Sequence, residues 1–261
     1  MVVPTYAELL GQVVVVTGAA RGIGRAIAMG FAAQGCVVVG NDVSAEALTD
    51  TIDACDRAGA TSSIALAADV GDAVAARTLI DDVVDRFGKV DVLVSNAGIN
   101  PVAGFLELTH DTWNRVQHVN MWGLFHCGQA AAAAMTKRRR GSIVVVGSPA
   151  AREAYTGQVA YSAAKAGLQM LALGMAWELG PLGIRTNIVH PGWIETELNR
   201  EYLWENPTAL DGILKQIPLG RTGRPEDVAG AAVWLCTEHA AYINGGSLTV
   251  DGGLVAGRLK T

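Results

Sequence analysis

The chain is 261 residues long, half of them hydrophobic and only 17% charged, with 31 glycines. That composition supplies a large core and many tight turns, and it excludes disordered and fibrous classes. The net charge of −5 gives no support for nucleic-acid binding, and the single basic run, Lys137 with Arg138, Arg139 and Arg140, reads as a solvated helix end.

In chain order, short β-branched runs alternate with longer helical stretches. Strands are expected at residues 13–16, 36–39, 63–66, 90–94, 143–146, 186–189 and 248–250. Helices are expected between them, at 22–34, 45–58, 72–87, 111–135, 155–179 and 225–237. Seven strands separated by six crossover segments predict a parallel sheet with helices on both faces. Right-handed crossovers then give a doubly wound, Rossmann-like α/β fold. No linker, composition break or repeat divides the chain, so residues 1–261 are expected to form a single domain.

The segment 192–222 is different, being long and carrying Trp193, Tyr202, Trp204, Pro207 and Pro218 among charges. A loop of that length beyond the carboxyl end of a strand is expected to form a lid over a ligand crevice. The alternative is a surface excursion packed on its own aromatics.

The first strand runs directly into Thr17-Gly18-Ala19-Ala20-Arg21-Gly22-Ile23-Gly24 and then a helix. Gly18, Gly22 and Gly24 remove side chains where backbone must turn sharply and approach a pyrophosphate, and the helix N-terminus offers free N–H groups to that anion. Asp42 ends the second strand, where a carboxylate can accept from an adenosine ribose and repel a 2′-phosphate. Arg21 pulls the other way, as a partner for such a phosphate. NAD is therefore the expected cofactor, with NADP second.

Tyr161 and Lys165 stand four residues apart in an expected helix, so their head groups share a face. A phenol is a poor base at neutral pH, and lowering its pKa to about 7 takes roughly 4 kcal/mol. A cation roughly 4 Å away supplies about that much at an effective dielectric near 20.

Cys36, Cys55, Cys127 and Cys236 are scattered without a CxxC pair, and the five histidines show no metal-ligand spacing. Residues 1–10 lack a basic region followed by a long apolar run. A cytoplasmic protein with free thiols and no metal is expected.

Taken together, the TGxxxGIG segment, Asn96-Ala97-Gly98 after the fourth strand and Tyr161-Ser162-Ala163-Ala164-Lys165 resemble the short-chain dehydrogenase/reductase family over most of the chain. The resemblance implies a catalytic tetrad of Asn120, Ser148, Tyr161 and Lys165. Asn120 would hold a helix irregularity and a water in a proton relay, and Ser148 would orient the reacting oxygen. Tyr161 would exchange the proton, while Lys165 would bias Tyr161 toward phenolate and hold the nicotinamide ribose. Gly18, Arg21, Gly22, Ile23, Gly24, Asp42, Asp69, Val70, Asn96, Ala97 and Gly98 would line the cofactor, followed by Pro191, Gly192, Ile194 and Thr196 at the nicotinamide. Two departures stand out: Ser95 replaces the first Asn of the usual NNAG, and Gly147 and Pro149 flank Ser148 instead of a second Ser and a small residue.

Asn100, Ser148, Arg152 and Trp193 are candidate substrate contacts, with Glu153, His190 and Glu195 as further polar groups. So many polar groups suit a polyhydroxylated substrate, and the order of Asn100-Pro101-Val102, the segment 192–222 and Ala256-Gly257-Arg258 resembles bacterial sugar 1-dehydrogenases of the family. The alternatives are a 3-oxoacyl-[acyl-carrier-protein] reductase and, outside catalysis, a dinucleotide-binding sensor or scaffold. Residues 155–179 are apolar on more than one face, which requires cover on two sides, and the resemblance implies a homotetramer.

Overall fold

The computed structural model describes residues 5–197, 199 and 207–257. Seven strands, β1 (Val13–Thr17), β2 (Val37–Asp42), β3 (Ser62–Ala67), β4 (Val92–Ser95), β5 (Gly141–Val146), β6 (Ile184–Pro191) and β7 (Ser247–Val250), pair in the order β3-β2-β1-β4-β5-β6-β7. Every pairing is parallel. The helices are α1 (Gly22–Ala32), α2 (Thr49–Ala58), α3 (Ala73–Phe87), α4 (His110–Gln117), α5 (Gly123–Thr136), α6 (Val159–Leu179), α7 (Pro207–Leu214) and α8 (Pro225–Leu235).

Strand side chains alternate between two cores. Val14, Val16, Val94, Val144 and Val189 pack against Ile27 and Phe31 of α1 and Ala229 and Val233 of α8. On the opposite face, Val15, Leu93, Ile143, Val145 and Ile188 meet Leu79 and Val83 of α3, Leu124 of α5 and Leu168 and Ala172 of α6. Burial on both faces is why the central strands read as unbroken apolar runs rather than alternating ones. Each fully buried Val, Leu or Phe contributes about 1.5–3 kcal/mol. Strand order reverses between β1 and β4, and the crevice at such a reversal is where open α/β sheets receive ligands.

The expected elements are all present, with local differences. The helix expected at 111–135 is interrupted by a π turn, His118–Trp122, between α4 and α5. The helix expected at 155–179 starts only at Val159, after a turn with Gly157 at φ +75°. Segment 45–58 opens with a 3₁₀ turn, Glu46–Leu48, before α2. Segment 192–222 contains a short helix, α7, and a parallel bridge from Ile194 to Gly223. Tyr202 and Trp204 lie outside the described residues. Among the described residues no helix is long and apolar enough to cross a membrane.

Candidate active site

The turn after β1 takes its shape from how closely backbone approaches backbone. Gly18 and Gly22 have φ of +65° and +56°, values that disfavour any side chain. A Cβ on Gly24 would lie 2.1 Å from the Gly18 carbonyl oxygen, and one on Gly18 would lie 2.8 Å from Ala97 Cα. Asn96 secures the turn from β4, its Nδ2 donating to the carbonyls of Thr17 (2.9 Å) and Gly18 (3.0 Å). The Thr17 hydroxyl completes the latch, accepting from the N–H groups of Asn96 and Ala97 at 3.0 and 3.1 Å. Thr17 is not among the residues expected at the cofactor; its place at the end of an apolar strand, next to the glycine turn, is the signal for it.

Arg21 precedes α1 without capping it, so the free N–H groups of the first helical turn remain for an anion. Its own side chain is exposed. Asp42 is anchored beside this turn, Oδ2 accepting from the Ala20 N–H (3.3 Å) and Oδ1 from Val43 (2.8 Å). Asp69 accepts from the Gly71 N–H at 2.9 Å and meets His118 Nε2 at 3.1 Å. No sequence spacing announces this contact of His118. Val70 is buried behind Asp69, packed where Gly123 leaves room for it. Glycine turn, free helix end and flanking carboxylates together fit a dinucleotide.

On the other side of the crevice, the π turn places Asn120, 1% exposed, against the strand-end loop. Its Oδ1 accepts from the Ile99 N–H and its Nδ2 donates to the Ile99 carbonyl, both at 2.9 Å. Gly98 is required beside it, since a Cβ there would lie 2.6 Å from Oδ1. Ser148 follows β5, its hydroxyl accepting from the Ala150 N–H at 3.1 Å. The same hydroxyl interacts with the phenol of Tyr161.

Tyr161 and Lys165 lie on the first turns of α6 and share a face, with Lys165 Nζ 5.5 Å from the centroid of the phenol ring. Here the structure differs from the simplest expectation. The ammonium donates to the Val146 carbonyl at 2.8 Å. Burial raises the Tyr161 phenol above its ordinary range, and the Ser148 hydroxyl pulls it only partly back. Burial also lowers Lys165 from 10.5 to about 8. The resting tyrosine is thus a protonated phenol, suited to donating a proton, and it becomes a base only at more alkaline pH.

The remaining candidates are less closely gathered. Pro191 is buried at the end of β6, Gly192 N–H donates to the Val250 carbonyl (3.0 Å), and Ile194 is 2% exposed. Thr196 reaches back to the glycine turn, its Cγ2 3.2 Å from where a Cβ on Gly22 would stand. Trp193 packs with Ile213, Ile217 and Leu254 under α7. Arg152 and Glu153 are exposed beyond the turn after Ser148. The Glu195 carboxylate is taken by the Thr222 hydroxyl.

A glycine turn at a sheet reversal, facing a half-buried tyrosine with a buried lysine and a serine beside it, defines a dinucleotide-dependent oxidoreductase. A family model described as enoyl-(acyl carrier protein) reductase matches residues 18–255. The L-rhamnose 1-dehydrogenase (NAD(P)(+)) of Azotobacter vinelandii is 40% identical over 250 residues, covering 94% of this chain and 97% of that protein. The 3-oxoacyl-[acyl-carrier-protein] reductase of Escherichia coli is 37% identical over 247 residues, with coverage of 94% and 97%. A solved gluconate 5-dehydrogenase from Burkholderia cenocepacia, in complex with NADP and tartrate, superposes with a TM-score of 0.90 at 33% identity, covering 95% of this chain and 96% of that one. The chain belongs to the short-chain dehydrogenase/reductase family. It is an NAD(P)-dependent oxidoreductase acting on CH–OH groups.

Lys165 yields a prediction that needs no substrate. The folded chain holds this lysine near pKa 8 and the unfolded chain near 10.5, so between those values the unfolded state binds more protons and stability rises with pH. Below pH 8 the buried ammonium carries its full penalty, about 3 kcal/mol at roughly 1.4 kcal/mol per unit, offset by about 1 kcal/mol from the bond to Val146. Lys165→Met is expected to be more stable than the unaltered protein at pH 7, by about 1–3 kcal/mol, and to lack the alkaline rise. Urea denaturation without nucleotide at neutral and alkaline pH measures both.

Proposed function

We propose that this enzyme is an NAD-dependent sugar or polyol dehydrogenase of the sugar 1-dehydrogenase kind. Asn100 carries the reading. It follows Ile99, which Asn120 holds in place, and its carboxamide oxygen is buried with no partner among the described residues. A buried unpaired acceptor costs about 1–3 kcal/mol. A substrate hydroxyl removes that cost and an acyl chain does not. Arg152 at the mouth of the site adds a second polar contact, and Trp193 adds an apolar wall. The relatives named for L-rhamnose and gluconate support the same substrate class.

Asp42 favours NAD over NADP. Its carboxylate is fixed by two backbone N–H groups, so a 2′-phosphate would meet a charge that does not turn away. The second reading, a 3-oxoacyl-[acyl-carrier-protein] reductase, draws on the Escherichia coli relative and on the exposed Arg21.

The glycine turn, Asp42, Asp69, Asn96, Lys165 and the segment from Pro191 to Thr196 would hold the dinucleotide, whose nicotinamide supplies the hydride chemistry when bound. Ser148 and Tyr161 bracket the reacting oxygen: Ser148 donates to it and Tyr161 exchanges its proton. Lys165, its ammonium set on the Val146 carbonyl, would hold the nicotinamide ribose, and Asn120 fixes the loop on which the substrate rests.

The second covered face expected of α6 is also present as exposed apolar surface. Met170 and Trp177 on α6 are 68% and 86% exposed, and Trp122 and Phe125 form an exposed ring pair at the start of α5. Burial of these residues between copies, in a homotetramer, is the proposed assembly.

Three sets of measurements, on substrate and cofactor choice, on proton exchange and on assembly, test these proposals. A panel of aldoses, polyols and β-ketoacyl thioesters assayed with NAD and NADP is expected to show turnover of sugars with NAD. Asp42→Ala should then improve relative use of NADP by about tenfold or more, from a screened repulsion of roughly 1–2 kcal/mol; β-ketoacyl reduction with NADP as the main activity would overturn the assignment. Sugar oxidation is expected to climb as pH rises above neutrality and to fall by about 10³-fold or more in Tyr161→Phe, while nucleotide binding persists. Light scattering on the eluting protein is expected to give four copies, and a monomer would refute the assembly.

A further inference from the structure

His190 is 2% exposed, and nothing in the fold alone requires an imidazole there. It lies two residues beyond Ile188 on β6. By the two-residue repeat of a strand it faces the side where Ile188 packs against Leu168 and Ala172 of α6. Its ring therefore sits between the sheet and the helix that carries Tyr161 and Lys165. Nδ1 lies 3.0 Å from both the backbone nitrogen and the carbonyl oxygen of Ser148.

Only one of those contacts answers a need. The Ser148 carbonyl already accepts from the Ala151 N–H at 3.1 Å, whereas the Ser148 N–H has no other partner among the described residues. A buried N–H left unpaired costs about 1–3 kcal/mol. The tautomer with its hydrogen on Nε2 leaves the Nδ1 lone pair to accept that N–H.

We infer that His190 is a positioning residue for Ser148, its imidazole Nδ1 accepting the serine's backbone N–H and fixing where the serine hydroxyl stands beside Tyr161. The inference rests on the role proposed for Ser148. Gly147 supports it independently. A Cβ there would lie 2.5 Å from His190 Nδ1 and 2.7 Å from Cε1, so only glycine admits the ring. Gly147 is not among the glycines with positive φ, so the requirement is for space and not for an unusual backbone. The residue that departs from the family's usual serine is thus emptied for the imidazole, and positions 147 and 190 form a matched pair.

Two further facts fit. Burial lowers the pKa of His190; the contact with the Ser148 backbone opposes this and the nearby cations of Arg152 and Lys165 add to it, so the ring stays neutral, the form with a free lone pair. Its Nε2 is buried without a partner among the described residues, a cost the fold bears for the contact at the other nitrogen.

The test combines spectroscopy with a double-mutant cycle. The ¹⁵N spectrum of histidine-labelled protein should show His190 as the Nε2–H tautomer, and amide exchange at Ser148 should be protected and become faster in His190→Leu. With the sugar the unaltered enzyme oxidises fastest, His190→Leu should lower kcat about tenfold or more with the KM for NAD little changed. His190→Asn, which keeps an acceptor near the Nδ1 position, should recover most of that loss. Gly147→Ser alone should be as impaired as His190→Leu, and Gly147→Ser with His190→Ala, which restores a small pair, should be more active than Gly147→Ser alone. An Nδ1–H tautomer, unprotected Ser148 exchange, or additive losses in the cycle would each overturn the inference. If no sugar is oxidised, the spectroscopic measurements still decide the contact, and failure of the substrate reading stays separate from failure of this one.

Discussion

The site depends on one close approach, between the turn after β1 and the turn after β4. Backbone meets backbone there with no room for a side chain on Gly18 or Gly24, and Asn96 and Thr17 tie the two turns by four hydrogen bonds. These are the strands between which the sheet reverses its order. The latch both closes the crevice floor and aims the free end of α1 across it. Asp42 and Asp69 on one side and Ser148 on the other follow strand ends of the same sheet, and Asn120 reaches the loop after β4 from the π turn between α4 and α5.

The catalytic half is built on the opposite principle, with polar groups held at a cost. Lys165 is buried with a depressed pKa, Asn100 and His190 keep buried atoms without partners among the described residues, and the Tyr161 phenol is desolvated. Each opposes folding, and together they are affordable only because valine-rich strands fill both cores. Such local inconsistency, set in an otherwise consistent fold, is what a functional site looks like in energetic terms.

What the sequence made legible follows from range. The strands could be read because parallel strands buried on both faces are continuous apolar runs, and the glycine turn because its strand and helix lie next to it in the chain. The tetrad was legible only through family resemblance; the structure sets Tyr161 beside Lys165 and Ser148, and holds Asn120 on the backbone of Ile99. The π turn could not be placed by spacing, since its Asn120 bonds to Ile99, 21 residues away. The direction taken by the Lys165 ammonium and the link from His190 to Ser148 depend on groups 19 and 42 residues distant. Gly147 was visible as a departure from pattern, but its reason lay on a neighbouring strand.

The latch also has a temporal side. Thr17 and Asn96 are 79 residues apart, and Gly30 of α1 is covered by Ala229 and Val233 near the far end of the chain. A polypeptide emerging from the ribosome therefore carries its glycine turn long before either support exists. The anion cradle is made before its latch, which cannot close until Asn96, just beyond β4, has followed it. Loop closure over such separations slows folding, and the face of α1 that carries Gly30 gains its native cover only once α8 has been made.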